Sequence, residues 1–417
     1  MLTRRGRTTV PRLAYGVVLG LACTLLAACG GGGGSATAST DCGNLDLSAL
    51  THREIPASLN PKSAVPDISQ MTIRSDNLGA DQSLEPTWWT DLKITPEQAK
   101  EICGKNLKAA ILDWDQVLYN QVIRQGFKDV MAAVGIKVVR ETSFAFDPNG
   151  LAGNLAAVMP LHPNIVFTGG TVDPKQFAAI MGPARAADIQ IVSWGVGAEG
   201  WKIGPDGDLS GLVGYDFYNL GLQMADAIAT RYPDGANLGY LHWINNVPPI
   251  LLRERGLLDG LKKHPHIKVI ADGGEPDPAR PNSGYNDPNN VQAATQAFLV
   301  RHPEVDVLFA AWEDPPALGQ IAAIKALGRQ VDIVTMDLDV TGAEHLQNDG
   351  VITVDMAQDI YDGGRALAMI AALNEIGVET PPFVIVPTFA ANSDNVKDAW
   401  DMMHGPSWPC CDGKKVG

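Results

Sequence analysis

The first pattern along the chain is a basic start followed by an almost unbroken apolar run. Arg4, Arg5, Arg7 and Arg12 precede the apolar residues 13–26, and small residues then lead into Cys29. That run falls short of the roughly 20 residues a membrane span needs, so the spacing predicts a cleaved export signal over 1–28. From Gly30 to about Pro96 the sequence is rich in Ser, Asp, Pro and Gly and has little periodicity. It predicts a flexible tether and an irregular extension, together covering 29–106. Ordered alternation begins at Leu107, where short Val- and Ile-rich runs alternate with amphipathic segments, the signature of parallel βαβ units. Strands are predicted at 108–112, 136–139, 165–167, 189–194, 238–242, 267–270, 305–310 and 331–336. The segment after the first strand carries Ile123, Phe127, Val130, Met131 and Val134 at helical spacing. Asp287 followed by Pro288 marks another helix start.

Leu26, Ala27, Ala28 and Cys29 close the export signal with the form of a lipobox. Cleavage before Cys29 would leave its thiol at the new N-terminus for diacylation, and two or more acyl chains anchor stably where one is marginal. The expected location is therefore outside the cytoplasm, lipid-anchored to a cell membrane through Cys29. A twin-arginine route through Arg4 and Arg5 lacks the Phe expected after them.

Charge narrows the partners. The chain holds 32 Lys and Arg against 47 Asp and Glu, and residues 1–28 contain four arginines and no acid. Without them the balance is 28 − 47 = −19, a poor surface for nucleic acid or anionic lipid. The remaining length suits two α/β lobes with full cores. Beyond Cys23 and Cys29, the cysteines are Cys42, Cys103, Cys410 and Cys411. In an oxidising compartment these four are disulfide candidates that staple the terminal extensions to the body, with three connectivities open. They lack CxxC spacing and a neighbouring His cluster, so no metal site is expected, and no cofactor.

The candidate chemistry sits at the carboxyl ends of the predicted strands, which face the ligand crevice in open parallel sheets. Asp113 and Trp114 follow the first strand, Trp194 ends another, and Trp243, Trp312 with Glu313, and Asp337 follow later ones. Flat indole faces beside carboxylates suit a ligand with apolar CH faces and hydroxyl edges, a sugar or polyol; they also suit a cation such as an amine. Gly195, Gly197 and Gly200 spell GxGxxG after a strand, with Asp216 about 20 residues on. That fingerprint needs a helix opening at the glycines, and Gly204, Pro205, Asp206 and Gly207 oppose one. No GxSxG elbow, HExxH pair or P-loop occurs, so the sequence reads as a binding protein and not an enzyme.

Three segments in order add a further signal: LRERG at 252–256, VTMD at 334–337 and GVITVDMAQ at 350–358. With them, residues 107–387 resemble periplasmic sugar-binding proteins of the ribose-binding type, the type I periplasmic binding proteins that serve ABC importers. LRERG is similar to the family's ARERG segment, whose first arginine, here Arg253, contacts ligand hydroxyls. VTMD places Asp337 where the family's aspartate accepts from the sugar, and the third segment ends in Gln358, matching a ligand-contacting glutamine at the hinge. Departures lie at Gly195 and Val196, where the family has aspartate and arginine, at Trp312 and Glu313, which replace a second-lobe asparagine, and at Tyr119 and Asn120, which replace an aromatic pair.

The resemblance implies an α/β fold of two Rossmann-like lobes with parallel sheets and a three-crossing hinge. Lobe 1 would comprise 107–214 and 359–387, lobe 2 would comprise 215–358 and 388–400, and 401–417 would form a tail. It implies a monomeric clamp in which lobe 1 offers Asp113, Trp114, Gln116, Tyr119, Asn120 and Trp194. Lobe 2 would offer Arg253, Trp312, Glu313 and Asp337, with Gln358 at the hinge. The expected function is capture of a sugar or sugar-like solute for delivery to a membrane ABC permease. The alternatives are an exported lipoprotein that informs a membrane sensor or chemoreceptor, and a receptor for a cationic amine.

Overall fold

A computed structural model describes residues 42–408 apart from 171–172, 244–246, 274–275, 278–283, 286 and 349. The expected signal, the anchor at Cys29, the tether before residue 42, and Cys410 and Cys411 lie outside the described residues. The strands are β1 (Thr87–Trp88), β2 (Lys108–Asp113), β3 (Lys137–Ser143), β4 (Ile165–Thr168), β5 (Gln190–Trp194) and β6 (Gly211–Gly214). They continue with β7 (Ala236–Tyr240), β8 (His242–Trp243), β9 (Ile267–Ile270), β10 (Gly284–Tyr285), β11 (Val307–Phe309), β12 (Asp332–Met336) and β13 (Ile352–Gln358), then β14 (Phe383–Ile385) and β15 (Thr388–Ala391). The helices are α1 (Pro61–Ala64), α2 (Pro96–Gly104), α3 (Leu118–Ala133), α4 (Pro148–Val158), α5 (Pro174–Ala186) and α6 (Phe217–Arg231). After them come α7 (Pro248–Leu261), α8 (Val291–Arg301), α9 (Leu318–Leu327), α10 (Val340–Asn348), α11 (Ile360–Asn374) and α12 (Val396–His404).

The central strands are nearly continuous apolar runs because helices cover both faces of each sheet. In β4 and β6 every residue is buried. One sheet runs β1-β14-β6-β5-β4-β2-β3 and is parallel throughout; the other runs β15-β13-β12-β11-β7-β9 and is parallel except for β15. The chain crosses between the sheets after β6, after β13 and between β14 and β15. In the first sheet β2 is followed in sequence by β3 on one side and β4 on the other, and in the second β7 stands likewise between β9 and β11. These are the points where strand order reverses and a crevice opens beyond the strand ends. Both face the same cleft.

Each lobe fixes its main helix pair by backbone contact at glycines. A Cβ on Gly221 would lie 2.1 Å from the Arg253 carbonyl oxygen, and one on Gly256 would lie 2.0 Å from that of Tyr218, so α6 and α7 touch. Gly126 and Gly364 do the same for α3 and α11. The glycine of LRERG thus seats the helix that carries Arg253.

The predicted strands are present with shifted ends: 136–139 lengthens into β3, and 238–242 divides into β7 and β8. Asp287 accepts from the Asn289 amide at 2.9 Å, but the turn it starts is a 3₁₀ turn over Pro288–Asn290 that leads into α8. β1, β6, β14 and β15 are too short, at two to four residues, to announce themselves by periodicity.

From residue 42 the extension is irregular in secondary structure yet tightly held. Leu59, Ile73, Leu78, Trp89 and Leu92 are buried, and β1 pairs with β14 to add an edge strand. Cys42 and Cys103 form a disulfide that returns its start to the end of α2. The extension touches both lobes: the Leu78 carbonyl accepts from the Gly197 amide at 2.7 Å, and the Ser63 carbonyl accepts from Gln223 of α6 at 3.2 Å. At the second crossing Arg53 pairs with Asp359 and with Asp362 and donates to the carbonyls of Asp401 at 2.8 Å and Met402 at 2.6 Å. Arg365 adds bonds to the carbonyls of Ala49 at 2.8 Å and Thr51 at 2.6 Å. Breaking a buried pair leaves an uncompensated charge, so Arg53→Ala is expected to cost about 3–5 kcal/mol, read as a lowered midpoint in urea unfolding. An unchanged midpoint would show that the strap does not brace the hinge.

Candidate functional site

Strand ends from both lobes enclose a cavity of about 510 Å³. The first lobe contributes Trp114, Asp115, Tyr119, Asn120, Phe146 and Trp194, and the second contributes Arg253, Trp312, Asp314, Asp337 and Asp339. Trp114 follows β2 and lies flat on the end of β4. A Cβ on Gly169 would sit 2.8 Å from its ring, and its Nε1 donates to the Gly170 carbonyl at 2.8 Å. Phe146 stacks on the same indole with centroids 5.6 Å apart and an interplanar angle of 28°. It is 45% exposed and holds a φ of 59°, left-handed for a bulky residue. Trp312 is held by Nε1 donating to the Asp314 carbonyl at 2.7 Å.

At the base of the cavity a guanidinium organises the polar groups. Arg253 is buried and donates to Asp337 at 3.1 Å and to the Tyr215 hydroxyl. Its guanidinium carbon lies 5.5 Å from the Tyr215 ring centroid and 5.7 Å from that of Phe217, within cation–π range. Gln358 donates to the other Asp337 oxygen at 2.9 Å. The Tyr119 hydroxyl lies within hydrogen-bonding reach of the Trp194 side chain and of Tyr215, so polar groups run from the first lobe into the second. Burial above all pushes both phenols above their ordinary range, aided for Tyr119 by Tyr215 and then Asp337 and for Tyr215 by Asp337, against the pull of Arg253. They stay protonated at neutral pH. Asp337 has a φ of 80°, and strain of this kind at a strand end is concentrated at functional sites.

Of the sequence-derived candidates, Trp114, Tyr119, Asn120, Trp194, Arg253, Trp312, Glu313 and Asp337 line the cavity, and Asp113, Gln116 and Gln358 are not among the lining residues. Asp113 is buried against Arg124 at 2.7 Å and accepts from the Trp114 amide at 2.8 Å, so it orients that residue from behind. Burial pushes its carboxyl up to about 7 against Arg124. Gln116 accepts from Arg124 at 3.1 Å and is exposed. Gln358 acts through Asp337. Glu313 reaches the cavity wall, but its two carboxylate oxygens accept from the amides of Asp339 and Gly342, each at 2.6 Å, at the start of α10. It secures the Asp337–Asp339 loop. The side chain of Trp243 is outside those described.

Residues 119–376 match the model of a periplasmic binding protein domain. The chain belongs to the periplasmic binding protein family. No curated protein matches it by sequence. Its fold is similar to that of an ABC transporter solute-binding protein from Agrobacterium vitis bound with alpha-D-tagatopyranose, at 19% identity and a TM-score of 0.60 over 72% of this chain and 100% of that one. It is also similar to a periplasmic solute-binding protein from Actinobacillus succinogenes with bound D-allose, at 19% identity and TM-score 0.58 over 70% and 99% of the two chains. A solute-binding protein from Mycobacterium smegmatis with bound glycerol aligns at 19% identity and TM-score 0.58 over 73% and 99%. The architecture is therefore the type I fold of sugar ABC transporter solute-binding proteins. Residues before 119 lie outside the family match, including the whole extension. After Gly195 no helix opens; the chain runs in turns to β6, and Asp216 caps α6 through the Asn219 amide at 2.9 Å, so the GxGxxG spacing has no dinucleotide geometry here. Among the described residues no helix is long and apolar enough to cross a membrane.

Several site residues carry no motif. Asp115 and Asp339 each lie two positions from a predicted acid, so the acidic spacing at Asp337 and Asp339 was an available signal. Phe146 and Tyr215 sit in connections that periodicity does not read. Asp355, in β13, was within the GVITVDMAQ segment and still went unsingled.

This periplasmic binding protein brings two buried acids, Glu313 and Asp355, close together beneath the second-lobe loop. A Cβ on Gly342 would lie 2.3 Å from Asp355 Oδ2 and 2.4 Å from Glu313 Oε2, so the two carboxyls meet there. Burial first, then neighbouring carboxylates, raises Glu313 well above its usual range and Asp355 to about 8. Because the folded chain keeps a proton that the unfolded chain releases above about 3.8, the contribution is full below that pH and lost as pH rises through about 8. Stability should therefore decline between those values, and Asp355→Asn should flatten part of the decline in urea midpoints taken across pH. An equally steep decline in the variant would place the retained proton elsewhere.

Proposed function

We propose that this protein is an exported receptor that captures a small polyhydroxylated solute between its lobes and hands it to a membrane ABC permease, held at the membrane by lipid on Cys29. The observation that carries the reading is the interlobe cavity, walled by indoles and floored by Arg253 and Asp337, with Tyr215 behind Arg253. Indole faces suit the CH surface of a sugar or polyol. The buried guanidinium and carboxylate suit its hydroxyls, through charge-assisted bonds roughly twice as strong as neutral ones. The bound tagatopyranose, allose and glycerol of the similar structures support the same ligand class. The lobes close about the three crossings as a hinge, and the closed form is what the permease reads. The tether before residue 42 keeps the receptor within reach of it.

Titration of the purified protein with sugars and polyols, followed by tryptophan emission, tests the reading. A member of the panel should shift the emission with saturation, and Arg253→Ala should weaken that ligand at least about tenfold, since truncation removes the cavity's cation and leaves Asp337 without its ion-pair partner. A panel without any saturable shift would overturn the ligand class. In cells fed labelled palmitate, label should enter the chain and be lost in Cys29→Ser; a label-free wild type would remove the anchor from the account.

A further inference from the structure

The polar lining of the cavity is lopsided. Donors are nearly all committed: Trp114 donates to the Gly170 carbonyl, Trp312 to the Asp314 carbonyl, and the Asn120 amide nitrogen to Asp115 at 2.7 Å. Among the described residues that line the cavity, Arg253 is the one cation, and both its terminal nitrogens are already engaged, by Asp337 and by Tyr215. Acceptors, in contrast, are in surplus. Asp115 is held at Oδ1 by Asn120 and the Val117 amide, and Asp339 at Oδ1 by the Val340 amide, which leaves a second oxygen on each. Asp314 has no side-chain hydrogen bond or ion pair among the described residues.

A cluster of acids is not by itself a site, and Asn120 supplies the second observation. It is 3% exposed, it lines the cavity, and its Oδ1 has no partner. Its orientation is fixed, because the nitrogen must face the Asp115 carboxylate. The fold therefore buries an unsatisfied acceptor beside Asp115, in a cavity that Asp314 and Asp339 also line, an arrangement costly to keep unless a donor-rich ligand meets it. The acids also face one another across the cleft. Asp314 is raised above its ordinary value by burial and then by the charge of Asp115 on the opposite lobe, and Asp339 by burial and then by Asp314 and Asp337.

A hydroxyl can donate one hydrogen bond, and it brings no charge to offset these acids. A protonated amine donates up to three, and it neutralises charge at the same time. We propose that the ligand is a polyhydroxylated molecule that carries a protonated primary amine, and that the amine lies between Asp115 and Asn120 of the first lobe and Asp314 and Asp339 of the second. This inference rests on the reading of the cleft as a receptor for hydroxylated solutes and names the ligand class within it. The hydroxyls meet Arg253 and Asp337, and Trp114 and Phe146 border the amine with aromatic faces that also favour a cation. Because the four groups come from both lobes, the amine draws the lobes together as it binds.

The test is calorimetric titration of the purified protein with matched probes: glucose, galactose and sorbitol, each beside its amino-deoxy analogue and the N-acetylated form of that analogue, with cadaverine as an amine that lacks hydroxyls. At least one amino compound should bind about tenfold or more tightly than both its neutral partners, and cadaverine should bind more weakly than it. Asp115→Asn and Asp314→Asn should each remove most of that preference, the amino compound losing more affinity than its neutral partners, with unchanged melting temperature as the control for folding. Neutral compounds that bind as tightly as their amino analogues overturn the amine site and leave the polyol receptor standing. Cadaverine binding as tightly as the best amino polyol overturns the hydroxylated class. If every probe fails to bind, the receptor reading falls and this inference with it.

Discussion

The structure turns on the ion pair between the buried Arg253 and the partly exposed Asp337. A guanidinium taken out of water must have a partner close by, and here the partner is a carboxylate held in a strained conformation at the end of β12. Around this pair the fold places Tyr215, one residue past β6 at the first crossing, and Gln358, the last residue of β13 at the second. The pair therefore fixes the hinge geometry and the cavity floor together. Its supports are equally specific: the glycine contacts between α6 and α7 place Arg253, and Glu313 at the start of α10 holds the loop that follows Asp337.

Much of this architecture was legible in the sequence because parallel sheets covered on both faces leave strong apolar runs. The strands from 108 to 336 follow that signal, as does the placing of chemistry at their carboxyl ends. Arg253 was implied by the resemblance of LRERG to a family segment, and Asp337 both by the resemblance of VTMD and by its place at the carboxyl end of a strand. Periodicity has no grip on strands of two to four residues such as β6 and β14, whose place is set by neighbours distant in the chain. The extension was harder still. Its side chains are buried by contact with both lobes and by the Arg53 cluster, and nothing local in a Ser- and Pro-rich stretch forecasts that.

The site shows the same division. Residue types that suit a ligand were found, but their roles depend on which neighbour takes each oxygen. Asp113 and Glu313 look alike in sequence beside a tryptophan, yet the first turns back onto Arg124 and the second onto the amides that open α10. Asp115 and Asp339, two positions from acids that drew attention, keep oxygens that the protein does not use. The distinction between a carboxylate that binds and one that braces is made by packing against partners 11 residues away for Asp113 and 26 and 29 away for Glu313, which one-dimensional spacing does not record.

The extension gives this protein a feature that the family-matched region lacks. It ties the start of α11 to the end of α12 through Arg53 and rests on both lobes, so any hinge motion must be accommodated by it. The clamp account holds that ligand binding closes the lobes about the Arg253–Asp337 pair in spite of that strap. Small-angle X-ray scattering of the protein with and without a saturating ligand tests this most directly. The account predicts a smaller radius of gyration on binding, with the change lost in Arg253→Ala. A ligand that saturates the wild type and leaves its scattering curve unchanged would contradict it.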